Sequence, residues 1–357
     1  MMLASASIDW LGLFMGRAGG LTLFLLGMAQ ITAALKALAG DRLRTVLARL
    51  SSNRLVGSLT GTVTTAVIQS SSVSTVLVVG FVSASLLSVT QAASVIIGAN
   101  LGTTVTAQVI ALDVTDYALG ILATGALLAV GAGGRLMLRD LGSAAIGLGF
   151  VFLGLDTMGD SMAPLGSYQP FLDLVADSRS PVVGLLFGAI LAGLIQSSSA
   201  TTGIVIVMGA SGLLSLETGI AIILGANIGT AVTAVLAAIG KSRDAWRTAL
   251  VHVLVNTIGA VAWIGAIGSL ADIAVWLAGD VPADGGTPQH FANAHTVFNA
   301  VNTVVFLTLL TPLVALTDRL LPDGLGLRSV ADTESAFLDP DLIATPVLAI
   351  EMTRREL

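Results

Sequence analysis

Two tetrapeptides carry the residues of this chain best suited to hold a small ion, Gln69-Ser70-Ser71-Ser72 and Gln196-Ser197-Ser198-Ser199. Each lies in the middle of an otherwise apolar segment, 55–87 and 182–214. The residues after each tetrapeptide begin a new half-helix, whose unpaired backbone N–H groups and positive dipole end face the break. Serine hydroxyls there add donors, and the set suits a tetrahedral oxyanion such as phosphate or sulfate. Two dipole ends of about +0.5 each do not neutralise a doubly charged anion. Neither segment contains a lysine or arginine, so co-bound cations are expected. Gln69, Gln196, Asn100, Asn227, Thr103, Thr230, Thr75 and Thr202 offer neutral oxygens, which suit sodium better than a transition metal.

A second pair of strings shares the spacing of the first. GANLGTTVTA starts at Gly98 and GANIGTAVTA at Gly225, the same 127-residue offset, and 18 of the 39 residues from Gln69 to Ala107 match Gln196 to Ala234 without a gap. The register reaches back to Leu26-Gly27 and Leu153-Gly154. Each unit is therefore an opening helix, a hairpin and a helix carrying Gly-Ala-Asn. Small residues at a membrane helix interface explain the glycines, but not the paired asparagines and threonines.

The chain is 55% hydrophobic and 11% charged, with a mean hydropathy of +0.93. Soluble domains carry about 25% charged residues, so these values place it in a bilayer. Seven apolar stretches are long enough to read as crossings, at 12–38, 91–112, 117–133, 143–160, 219–239, 248–270 and 293–316. The net charge of −6 leaves no basic stripe for nucleic acid, and without cysteine there is no disulfide framework or thiolate metal site. The first apolar stretch is longer than a secretory signal core and lacks a basic leader, which reads as a retained helix.

Basic residues favour the cytoplasmic side of short loops. With the N-terminus outside and the C-terminus cytoplasmic, 14 of the 16 lysines and arginines fall inside, all but Arg17 and Arg179. This holds only if 55–87 and 182–214 each enter and leave on one side. Each hairpin arm is about 21 Å long as helix, short of a hydrocarbon core of about 30 Å. The arms then turn back at mid-depth, where polar groups must satisfy the broken backbone. Three crossings separate equivalent points of the two units, so the second is upside down relative to the first. The expected fold is an all-α integral membrane protein with an inverted-topology repeat, two re-entrant helical hairpins and broken helices. Residues 1–140 hold the first unit, 141–240 the second, 241–319 two additional transmembrane helices and 320–357 a cytoplasmic tail.

These motifs resemble the type II sodium-dependent phosphate cotransporters and their bacterial homologues, over residues 12–316. QSSS followed by Gly-Ala-Asn-Ile-Gly-Thr occurs twice, with Leu101 in place of the isoleucine of the first copy and Ala231 in place of the second threonine of the second. The resemblance implies sodium-coupled phosphate symport across the cytoplasmic membrane, a cell inner membrane or plasma membrane. It also implies one shared site. Gln69 to Ser72, Gln196 to Ser199, Asn100 and Asn227 would serve phosphate, and Gln69, Thr75, Thr103, Gln196, Thr202 and Thr230 would serve sodium. Transport of another oxyanion such as sulfate, or passive phosphate export through a channel, is the alternative. The expected partners are phosphate, sodium, the lipid bilayer and a second copy in a homodimer.

Three features lie outside the duplicated core. HVLVN, with His252 and Asn256, and HTVFN, with His295 and Asn299, look like family elements, and the histidines read as helix–helix hydrogen-bonding residues. Asp156 is an ionisable residue in an apolar helix, where the first unit has Ala29. The stretches 41–54 and 168–181 read as interfacial helices bracing the hairpins, and the tail resembles the linker to a PhoU-like domain. Gly209-Ala210-Ser211-Gly212 resembles the serine motif of intramembrane proteases, but Ser211 falls at the outer end of a hairpin arm, and the tetrapeptide serines have no neighbouring base, so no enzyme is expected.

The topology is testable because the chain has no cysteine. Single cysteines at Ser52 and Ser242 are expected to react with an impermeant maleimide only from the cytoplasmic side, and one at Ser167 only from outside. Labelling of all three from one side would remove the inversion.

Overall fold

The computed structural model describes residues 10–39, 53–112, 114–162, 164, 168, 180–279 and 286–322. Among these the fold is entirely helical. The proposed interfacial stretches lie almost wholly outside the described residues, as does the tail beyond 322. The first unit runs α1 (Trp10–Ala39), α2 (Arg54–Ile68), α3 (Ser71–Ser83) and α4 (Val89–Ile110). α5 (Ala118–Val130) leads to the second unit, α6 (Leu136–Met162), α7 (Pro181–Ile195), α8 (Ser198–Ala210) and α9 (Leu216–Ala238). Then come α10 (Arg243–Trp263), α11 (Ile267–Ala278), α12 (Pro288–Thr308) and α13 (Leu310–Leu320).

Five spans among the described residues are long and apolar enough to cross a membrane, and a sixth is α12 with α13, bent by 75° at Leu309. The seventh expected crossing, 117–133, is shorter than its hydropathy indicates. Its helical part covers only Thr115–Val130, and Gly133 and Gly134 turn the chain with positive φ. The bend at Leu309 has a covalent cause in Pro312, which lacks the N–H that would bond Thr308 and whose ring crowds that carbonyl.

Glycine sets the closest helix contacts, and the 127-residue offset is visible in them. A Cβ at Gly98 would overlap the Ser58 carbonyl, and one at Gly225 would overlap that of Leu185. Gly61 against Val95 is matched by Gly188 against Ile222. Further along, Gly57 meets Ser94 while Gly102 meets Thr62 and Thr65, and Gly184 meets Ala221 while Gly229 meets Ala189 and Gly193. Contacts thus rise together along α2 and α4, and along α7 and α9, and each pair runs parallel. The start of α4 is thus level with the start of α2, and α3 has to bring the chain back from the far end of α2. By the same pairing α8 brings it back from the far end of α7.

α1 and α6 pack antiparallel. Gly20 lies against Gly154 and Gly27 against Gly147, and each contact is the offset image of the other. The second arms cross between units: α3 packs on α9 and α8 on α4. Phe24 of α1, wholly buried, fills the space over Gly203 of α8. α4 and α9 are the most enclosed spans. Leu55, Leu59 and Val63 on α2 and Val183, Phe187 and Leu194 on α7 remain exposed, an apolar face suited to lipid.

Gly98→Val and Gly225→Val should each destabilise the protein by at least about 1–3 kcal/mol, because the opposing atom is backbone and cannot rotate away. Gly80→Ala is the control. Its Cβ meets nothing, so stability should hold or rise by up to about 1 kcal/mol. Thermal melting in detergent reads all three.

Candidate functional site

The two tetrapeptides fold alike. Gln69 ends α2 in the left-handed region at φ 56°, ψ 25°, and Gln196 ends α7 at φ 56°, ψ 30°. No other non-glycine residue among those described has positive φ except Ser85. A glutamine held there is uncommon and marks a constrained turn. The next residue is extended, Ser70 at φ −153° and Ser197 at φ −146°. Each caps the helix that follows: Ser70 Oγ accepts from Val73 N at 3.3 Å and Ser197 Oγ from Ala200 N at 3.1 Å. The first serine of each set thus has a structural task. Ser71, Ser198 and Ser199 are buried at the helix starts, while Ser72 is half-buried.

Around the breaks the halves differ. Gln69 Oε1 accepts from Thr106 Oγ at 2.6 Å and its Nε2 donates to the Ala66 carbonyl at 2.6 Å. Thr65 donates to Ser74 at 2.8 Å, tying the arms. Gln196 is exposed, and Thr233, the offset partner of Thr106, donates to Thr230 O instead at 2.8 Å. A cavity of about 310 Å³ lies beside Gln69, with Thr106, Ala66 and Val105 in its wall.

The expected sodium ligands divide into two groups. Thr75 and Thr202, offset partners on α3 and α8, are buried, and their hydroxyls have no hydrogen-bond partner among the described residues. Buried hydroxyls are normally hydrogen-bonded, so this pair at equivalent positions has bonding capacity open to a ligand or water. Thr103 and Thr230 donate to backbone oxygens in their own helices, which leaves their lone pairs as acceptors.

Asn100 and Asn227 are joined to the two later motifs. Asn100 Nδ2 donates to Asn256 Oδ1 at 2.8 Å, and Asn227 Nδ2 to Asn299 Oδ1 at 3.4 Å. Asn256 and Asn299 in turn donate to the carbonyls of His252 and His295, four residues back, at 3.1 and 3.0 Å. α10 and α12 thus occupy matching places, α10 against α9, α4 and α3, and α12 against α4, α9 and α8. The histidines do not bond helix to helix as expected. Both are buried, and His252 Nδ1 and both ring nitrogens of His295 lack a partner among the described residues.

A second polar cluster, on α4 and α12, escaped sequence reasoning. Gln108 donates to Thr296 at 2.9 Å and to Asn293, and accepts from Gln289 at 3.0 Å. Its members have no common spacing that marks them. Asp156 and Asp160 line an open cavity of about 240 Å³ with Thr115 and Ser211, and among the described residues its wall holds no histidine.

The Na+/Pi-cotransporter family matches this chain over residues 23–160 and 171–278. The chain belongs to that family. It is 32% identical over 300 residues to the uncharacterized protein YqeW of Bacillus subtilis, covering 84% of this chain and 95% of that protein. It is 27% identical over 323 residues to the "Putative inorganic phosphate export protein YjbB" of Escherichia coli, covering 89% of this chain and 57% of that one. A third likeness is to the sodium-dependent phosphate transport protein 2A of the rat, 37% over 103 residues, covering 27% of this chain and 16% of the other. No solved structure matches. The Na+/Pi-cotransporter match spans both tetrapeptides, both Gly-Ala-Asn strings and the HVLVN helix.

Ser70→Ala and Ser197→Ala are each expected to cost about 1 kcal/mol through loss of the cap, and the glycine variants only a few tenths. Unfolding in detergent without phosphate measures this apart from transport.

Proposed function

We propose that this chain is a sodium-coupled phosphate transporter whose single site lies between two re-entrant hairpins of an inverted repeat. The observation that carries the reading is the duplicated break. Two helix N-termini, each preceded by a left-handed glutamine and a capping serine, present buried hydroxyls from Ser71 and Ser198 with Thr75 and Thr202 unpartnered one turn further on. N–H groups and hydroxyls suit the anion, and neutral oxygens suit the cations that must offset its charge. Gln69 to Ser72 and Gln196 to Ser199 would take phosphate. Thr75, Thr202, Thr103 and Thr230, with the glutamine carbonyls, would take sodium.

What supports inversion is the reciprocal antiparallel contact of α1 with α6, the pattern of two elements exchanged by a two-fold axis. An axis in the membrane plane would bring the two breaks to one depth. Residues 1–140 and 141–240 are then the two halves, and α10 and α12 form a third exchanged pair within 241–319. The exporter reading of direction draws on the YjbB likeness, which extends over 89% of the chain. The family and the buried oxygens favour sodium coupling whichever way net flux runs.

Phosphate uptake into proteoliposomes should be saturable and should collapse when sodium is replaced by choline. Uptake unchanged in choline would refute the coupling. Ser71→Ala and Ser198→Ala should each weaken phosphate affinity about tenfold or more, since a hydrogen bond to a charged group is worth about 1.5–3 kcal/mol. The two variants should behave alike. If one were silent, the site would belong to a single hairpin.

A further inference from the structure

By residue type Asn100 and Asn227 can offer an oxygen to sodium, whereas the family resemblance assigns them to phosphate; their hydrogen bonds give the amides a polarity that bears on the choice. A backbone carbonyl only accepts, so Asn256 must turn its NH2 toward the His252 carbonyl, four residues back in α10. Its oxygen then faces Asn100, which must answer with its own NH2. Among the described residues the carbonyl oxygen of Asn100 has no hydrogen-bond partner, and its nitrogen keeps one N–H beyond that given to Asn256. The same chain of constraint runs from the His295 carbonyl through Asn299 to Asn227, on the other side of the repeat. Flipping either outer amide would set two oxygens against each other at the helix backbone, inside a buried interface. Asn256 and Asn299 are 2% and 1% exposed, so water does not relieve such a clash.

From this geometry we propose that Asn256 and Asn299 are positioning residues, and that they commit Asn100 and Asn227 to present carbonyl oxygens to a bound cation rather than N–H groups to the anion. The inference rests on the transporter reading above and moves two residues from the phosphate to the sodium within it. Hard, neutral oxygens at fixed positions are what an alkali cation selects. The oxygens lie on the same helices as Thr103 and Thr230, one turn before them, so each Gly-Ala-Asn-x-Gly-Thr string offers an amide oxygen and a hydroxyl on one side of its helix. The duplicated His-x-x-x-Asn motif thereby acquires a role. Its histidine contributes the carbonyl that anchors the relay, and its asparagine transmits the polarity.

The test is sodium-driven phosphate uptake in proteoliposomes, with sodium and phosphate varied independently. Asn256→Leu and Asn299→Leu should raise the sodium concentration for half-maximal uptake about tenfold while leaving the phosphate KM at saturating sodium within about twofold. Should the leucine variants not fold, Asn100→Asp decides. In either protonation state it presents an oxygen on the free side, so its sodium half-saturation should be about tenfold lower than that of Asn100→Leu. A higher phosphate KM at saturating sodium with unchanged sodium dependence would put the N–H on the anion and overturn the assignment. Equal sodium dependence in Asn100→Asp and Asn100→Leu would overturn it too. Wild-type uptake indifferent to sodium would instead overturn the transporter reading, and this inference with it.

Discussion

A helix that stops inside a protein frees backbone N–H and C=O groups that no water is at hand to satisfy, and the architecture follows from how this chain meets that constraint twice. At Gln69 and Gln196 the backbone turns left-handed, one serine caps the outgoing helix, and the next two serines open that helix. The two breaks agree within a few degrees although the helices leading to them, α2 and α7, share few residues. What the helices do share is glycine at the offset positions. Close contact of α2 with α4 and of α7 with α9 fixes the depth of each turn relative to its Gly-Ala-Asn string.

The repeat, the helical breaks and the candidate oxygens could be read from the sequence because a fixed offset ties one residue to one partner. The relation between α10 and α12 could not. At the 127-residue offset His252 and Asn256 meet Gly125 and Ala129, so the motif has no counterpart at that spacing. Its counterpart lies later in the chain, in α12, where only the packing of helices from different places brings Asn299 to Asn227 as Asn256 is brought to Asn100. Sequence spacing is blind to elements exchanged out of order. Thr106 was within reach, being part of the repeated string. The bend at Leu309 also had a local signal in Pro312, which hydropathy averaging over 293–316 conceals.

Arginines from which the expected orientation of the chain is read also finish its helices. Arg54 donates to the Leu307 carbonyl beside the bend between α12 and α13, at 3.2 Å. Arg247, nearly buried, donates to the Leu321 carbonyl at the end of α13 and pairs with Asp244 and Asp318. Arg243 bonds to Pro322 O. Cations at helix C-termini are favourable electrostatically, and here they tie the start of α2 to the end of α12 and the start of α10 to the end of α13. The residues that carry the positive-inside expectation therefore also close one end of the bundle.

The halves are alike in their breaks and unlike around them, and that combination bears on transport. Thr106 is bonded to Gln69, whereas Thr233 has turned back to Thr230 and Gln196 stands exposed. Alternating access by an inverted repeat requires two halves of one construction in unequal conformations, since equal ones would open the site to both sides or to neither. The rigid parts, glycine contacts and capped breaks, are those the offset preserves. The variable parts are single hydrogen bonds from a threonine to a glutamine or to its own helix. Exchanging such bonds costs little, so in the proposed transporter alternation would proceed at the glutamines while the serine caps and asparagine relays stay fixed.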